Sequence, residues 1–183
     1  MRLELLVRRK GTDPTAETCL HALQALMALD VTDLEHGTLW RFDVDGDTGP
    51  ARLKDAIARA ACRAGRYVNT NRDTYAWLDE LPAAAMARPA LTATDLWICL
   101  GDGRDPVAQA YFAAQTGARL RQVRCGMLYR LWMPQRDAAA AREFAFEVAV
   151  TRTRRHGLLM NPHAQTLEVL RVWSDAGGEE PGA

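Results

Sequence analysis

Two stretches of this chain answer each other landmark by landmark. Gly11-Thr12-Asp13-Pro14 opens a helical stretch in the first half, and Gly103-Arg104-Asp105-Pro106 opens one in the second. Gly37-Thr38-Leu39-Trp40-Arg41-Phe42 is matched by Gly126-Met127-Leu128-Tyr129-Arg130-Leu131, and Val68-Asn69-Thr70-Asn71 by Leu158-Leu159-Met160-Asn161. The separation is about 90 positions at all three landmarks, in the same order, and such self-similarity outranks any local assignment. It predicts a tandem duplication.

The first unit reads βαββαβ. Leu3, Leu5 and Val7 alternate with Glu4, Leu6 and Arg8, a period-2 pattern for a strand over residues 2–9. Asp13 suits an N-cap and Pro14 the first helical position, where a missing N–H costs nothing. Cys19, Leu20, Leu23, Leu26 and Met27 then form an apolar stripe running to about Leu29. A hairpin follows: residues 31–35, a His36-Gly37 turn, and residues 38–44 with Trp40, Phe42 and Val44 on one side. A helix carrying Leu53, Ala56, Ile57, Ala60 and Ala61 and a strand over 74–78 complete the unit.

The second unit repeats the order. It has a strand over 96–100, a capped helix from Pro106 to about Thr116 with Gly117 as its stop, and a hairpin from Arg121 to Met133 turning at Gly126. A helix over about 138–154 and a strand over 167–172 follow. Apolar side chains on both sides of 129–133 predict a strand buried on two faces. The expected architecture is α+β: two split-βαβ repeats, antiparallel sheets with helices on the outer faces, packed as a pseudo-twofold dimer within one chain. The repeats span 1–80 and 95–173. Residues 81–94, broken by Pro82 and Pro89, are the expected linker, and 174–183 a flexible tail.

Composition bounds the function. Apolar residues make up 48% and charged residues 25%, the balance of a globular chain. The formal net charge of zero provides no field for polyanions, so no nucleic-acid partner is expected. Neither a leader-like apolar segment after Met1-Arg2-Leu3-Glu4 nor a run of roughly 20 apolar residues is present, which predicts no membrane association and a cytoplasmic location. Cys19, Cys62, Cys99 and Cys125 have no CxxC spacing and are expected to be structural thiols.

With these motifs in hand, each unit resembles the PurS subunit of phosphoribosylformylglycinamidine synthase. The likeness rests on Gly11 to Pro14 and Gly103 to Pro106 before the first helix, on Leu34 to Gly37 and Val123 to Gly126 in the hairpin, and on Asn71 and Leu158-Leu159-Met160-Asn161-Pro162 before the last strand. Thr38 and Met127 replace the family's lysine after the hairpin glycine, and Arg72 stands where the Asn-Pro motif has proline. The resemblance implies a fold of PurS-like repeats and a bridging role. Such a subunit joins an ATP-dependent synthetase (PurL-type) and a glutaminase (PurQ-type) for ammonia transfer. It has no cofactor of its own, since ATP and Mg²⁺ belong to the synthetase, and no catalytic residue. The family-motif and interface candidates are Gly11, Asp13, Pro14, Gly37, Arg41, Asn71, Gly103, Asp105, Pro106, Gly126, Arg130, Asn161 and Pro162.

Other chemistries fit less well. The four histidines, His21, His36, His156 and His163, lack metal-ligand spacing. Asp43, Asp45 and Asp47 alternate as in a Ca²⁺ loop, but Lys54 stands where that loop needs its glutamate. Arg8-Arg9-Lys10 and Arg152, Arg154, Arg155 read as solvated clusters. Arg41 and Arg130 occupy the same position in both repeats and point away from Trp40 and Tyr129, toward a polar sheet face or an inter-repeat ion pair. Two other readings compete with the bridging subunit. One is a regulatory module binding a small molecule between duplicated units; the other is a stand-alone enzyme of the dimeric α+β barrel kind.

Overall fold

Alternating apolar residues make β1 (Arg2–Arg9), which pairs antiparallel with both of its neighbours, placing Leu5 opposite Trp40 on one side and Trp77 on the other. The computed structural model describes residues 1–46, 49–81, 88–151, 157–174 and 178–181, with Ser174 and 178–181 described by backbone alone. Among these, α1 (Pro14–His21) precedes β2 (Asp33–Asp45), α2 (Pro50–Ala64) and β3 (Asp73–Trp77). The second half runs β4 (Leu91–Leu100), α3 (Pro106–Thr116), β5 (Arg119–Pro134), α4 (Ala138–Ala149), β6 (Gln165–Ser174) and β7 (Gly178–Pro181). The fold is α+β, with an antiparallel sheet in the order β3-β1-β2-β5-β4-β6-β7.

The expected hairpins are absent. β2 and β5 are each one unbroken strand through Gly37 and Gly126, so the halves read βαβαβ instead of βαββαβ. Gly37 has no positive φ. A Cβ there would lie 2.7 Å from the Val7 carbonyl and 2.9 Å from Leu6 Cδ1, so glycine permits close approach of β1 where a turn had been expected.

Helix termini follow the sequence more closely. Asp13 and Asp105 are both extended N-caps, accepting from the amides of Thr15 and Ala108, with proline next in each. Gly117 ends α3 in the left-handed conformation, as its position predicts. The stripe expected to Leu29 stops short: α1 ends at His21 and a π-turn spans Ala22–Leu26. The wider turn rotates the stripe, leaving Leu23 buried and Leu26 exposed. α4 ends at Ala149 because Val150 leaves the helix to bridge Met160. The supposed linker is strand from Leu91 onward, and Gly178–Pro181 of the supposed tail pairs with Arg171–Ser174. Pro82 to Ala87, Arg152 to His156, Asp47, and 175–177 and 182–183 lie outside the described residues.

Two compact units each draw on both halves of the chain. Unit 1 comprises Met1–Thr12, Gly37–Glu80 and Asp102–Gly126. Its core packs Leu3, Leu5, Trp40 and Phe42 from strands under Ile57 and Ala61 of α2 and Phe112 of α3, with Phe112 edge-on to Phe42 at 5.0 Å. Unit 2 comprises Asp13–His36, Leu81–Gly101 and Met127–Ala183. There Leu23 and Phe144 pack on Leu96, Ile98, Leu131 and Met133. A second cluster, Ala93, Trp132 and Trp173, belongs to the same unit. Leu128 through Met133 includes buried residues of both alternating sets, Leu128, Arg130 and Trp132 as well as Leu131 and Met133, so β5 is buried on two faces, as its composition predicts.

Candidate functional site

The helix caps gather the chemistry-bearing side chains. In unit 2, Asp13 uses Oδ1 for the Thr15 amide, while Oδ2 lies 2.8 Å from Nδ1 of His36. The imidazole packs against Tyr129 with ring centroids 5.1 Å apart, and its buried Nε2 has no partner among the described residues. Desolvation, with the nearby Cys19 and Asp13, pushes the Tyr129 phenol up to about 12. Burial and Asp13 likewise raise the Cys19 thiol. Both groups therefore keep their protons at neutral pH.

For Asp13 itself, burial acts to raise the pKa, but the His36 hydrogen bond, the Thr15 amide and the imidazole charge outweigh it and hold the carboxyl below its ordinary 3.8. A depressed folded-state pKa adds stability above the unfolded value, and that stability disappears as pH falls through the folded one. Asp13→Asn keeps the cap and loses the charge. It is expected to lower the urea midpoint at pH 7, with the deficit relative to wild type closing below about pH 4. An equal deficit at pH 7 and pH 2.5 would refute the assignment.

In unit 1 the corresponding cap, Asp105, lines a cleft of about 370 Å³ with Trp40, Arg66, Tyr67 and Val107. Trp40 is edge-on to Tyr67 at 5.1 Å. The Arg66 guanidinium stacks over the Tyr67 ring at 4.4 Å and donates to its hydroxyl, a cation–π geometry on an open cleft wall.

The two matched arginines are buried, each facing a carboxylate directly across a strand pair. Arg41 Nε donates to Glu4 Oε1 at 2.7 Å. Arg130 grips Asp95 with two bonds of 2.6 and 2.8 Å and reaches Glu35 at 3.4 Å. Burial opposes the Arg130 charge, but Asp95 and Glu35 more than offset it, so its pKa lies above the ordinary value. The Glu4 and Asp95 pairs form within one half of the sequence, between neighbouring strands, whereas the Arg130–Glu35 contact joins the two halves, so the polar sheet face and the inter-repeat ion pair are both present.

The remaining motif residues shape loops. Gly11 and Gly103 both have positive φ, Pro14 and Pro106 start their helices, and Gly126 is buried within β5. Asn161 builds an Asx turn, its Oδ1 accepting from His163 N and its carbonyl from Ala164 and Gln165, with Pro162 exposed inside it. In the first half that turn is built by Asn69: its Oδ1 accepts from Asn71 N and its carbonyl from Arg72 and Asp73. Asn69, two positions before Asn71, is thus the counterpart of Asn161. Both are the first Asn after a buried apolar residue, Val68 or Met160, which is the signal that identifies Asn69.

Asp43 meets Arg2 and Arg124, each at 3.5 Å; such contacts oppose the Ca²⁺-loop reading. Among the described residues no group of three or more His, Cys, Asp or Glu is placed to hold a metal, and no helix is long and apolar enough to cross a membrane. No motif predicted the Asp13–His36 contact or the cleft, because both depend on elements far apart in sequence. No protein-family model and no curated protein matches this chain.

Proposed function

We propose that this chain is a non-catalytic bridging subunit of phosphoribosylformylglycinamidine synthase in de novo purine biosynthesis. Its halves are two copies of one PurS-like unit, fused in tandem and packed as a pseudo-twofold pair in place of a dimer of separate chains. The observation that carries the reading is the recurrence of one cross-strand ion pair, Arg41 with Glu4 and Arg130 with Asp95, alongside twin Asp-Pro caps and twin Asx turns. Three local devices recurring in the same order support descent from one unit. The function itself follows from the family resemblance. On this reading, the chain brings a synthetase and a glutaminase together in the cytoplasm for ammonia transfer, with ATP and Mg²⁺ held by the synthetase.

Co-expression with the synthetase and glutaminase of the same source tests this. Co-elution of all three and glutamine-dependent amidine formation that falls at least tenfold without this chain are the expected results. Unchanged activity and no co-elution would refute the bridging role. The second reading, a module that binds a small molecule, is favoured by the cleft beside Asp105.

A further inference from the structure

Asp13 corresponds to Asp105 and Tyr129 to Trp40 in the two halves, yet what lies beside each pair differs. In unit 2 an imidazole lies beside the pair: His36 Nδ1 meets Asp13 Oδ2 at 2.8 Å, and the ring packs on Tyr129. His36 directly precedes Gly37. The residue directly preceding the matching Gly126 is Cys125, whose side chain has no ring. The space flanked by Asp105 and Trp40 in unit 1 is the open cleft of about 370 Å³, a volume near the lower end of small-ligand sites.

The cleft wall is chemically specific. Trp40 is only 8% exposed, and its indole Nε1 has no hydrogen-bond partner among the described residues, a donor left unmet at a cost. Asp105 spends Oδ1 on the Ala108 amide. Arg66 places a guanidinium over Tyr67, and Val107 is 61% exposed at the cleft. A purely anionic ligand would meet the Asp105 charge and a purely cationic one the Arg66 charge, so the wall favours a ligand carrying both an N–H donor and an anionic group.

We propose that this cleft binds an anionic heterocycle of the imidazole class, the free counterpart of the His36 ring in the other unit. The ring N–H donates to Asp105, the ring packs against Trp40 and Tyr67, and the anionic substituent pairs with Arg66. The inference rests on the duplication argued above, and it holds or fails separately from the bridging role.

Imidazole-4-acetate is the probe, titrated into the full chain while the tryptophan indole N–H signals are followed by ¹H–¹⁵N NMR, with the Trp40 signal identified from Trp40→Phe. The expected result is a saturable shift of that signal with a Kd of about 1 mM, the scale for so small a ligand. Plain acetate should give no saturable shift. Asp105→Asn, which can still cap the helix, should weaken binding at least tenfold. Cys125→His should abolish binding by supplying the ring from within. The absence of a saturable Trp40 shift in the wild type overturns the proposal, as does undiminished affinity in folded Asp105→Asn. Neither result alters the co-elution test, so the two failures are distinguishable.

Discussion

Replacing Arg130 with methionine is expected to destabilise the fold by about 3–5 kcal/mol, the cost of stranding a buried charge. Asp95 and Arg130 are both 0% exposed, and the two short bonds between them are the main compensation for burying the carboxylate. Trp173 Nε1 also donates to Asp95, at a long 3.4 Å. The pair itself adds far less than this to stability, because much of its Coulomb energy offsets desolvation. Arg130→Met combined with Asp95→Leu should therefore recover most of the loss. Arg41→Met should be milder, about 1–2 kcal/mol, because the Glu4 side chain retains 17% exposure and can turn to water. Urea midpoints of the four proteins decide the matter, and equal losses in Arg130→Met and Arg41→Met would contradict it.

Gly157→Ala is expected to cost more than about 3 kcal/mol, combining left-handed strain with a backbone clash. Gly157 has φ +74°, and a Cβ would fall 1.8 Å from the Val150 carbonyl oxygen and 2.2 Å from its carbon. No rotamer change relieves a clash with backbone. The segment would have to withdraw from the end of α4, where Leu158, Leu159 and Met160 donate to the carbonyls of Val148 and Ala149. Those bonds satisfy the final carbonyls that a helix leaves without internal partners. Gly37→Ala meets Val7 O at 2.7 Å and has ordinary φ, so a smaller loss is expected there. Thermal unfolding of both variants provides the comparison, and a Gly157→Ala transition within a degree of wild type would exclude the clash.

What could be read from the sequence was local. Asp13-Pro14 and Asp105-Pro106 announced their helices because a cap needs only its next three residues. Trp40, Phe42 and Val44 shared a face because strand period is 2. The role of Gly37 is not legible locally, because a glycine serves two purposes, positive φ or close approach, and only the neighbouring strand distinguishes them. The positions of Arg41 and Arg130 were visible, but their partners depend on strand register. The Asp13–His36 contact and the cleft beside Asp105 depend on packing between distant elements, which no short motif encodes.

Interleaving also governs when the chain can fold. Unit 1 requires Phe112, Leu120 and Val123 from the second half to complete its core, and unit 2 requires Leu23, Val31 and Leu34 from the first. During synthesis the first 80 residues therefore leave the ribosome with strand faces that have α2 but still lack their second covering helix, α3. Both units close only after long chain loops have formed, which slows the search for the native state. In return, the covering helix arrives on the same polypeptide, at a fixed ratio of one to one and at an effective concentration that two separate chains would reach only by being abundant.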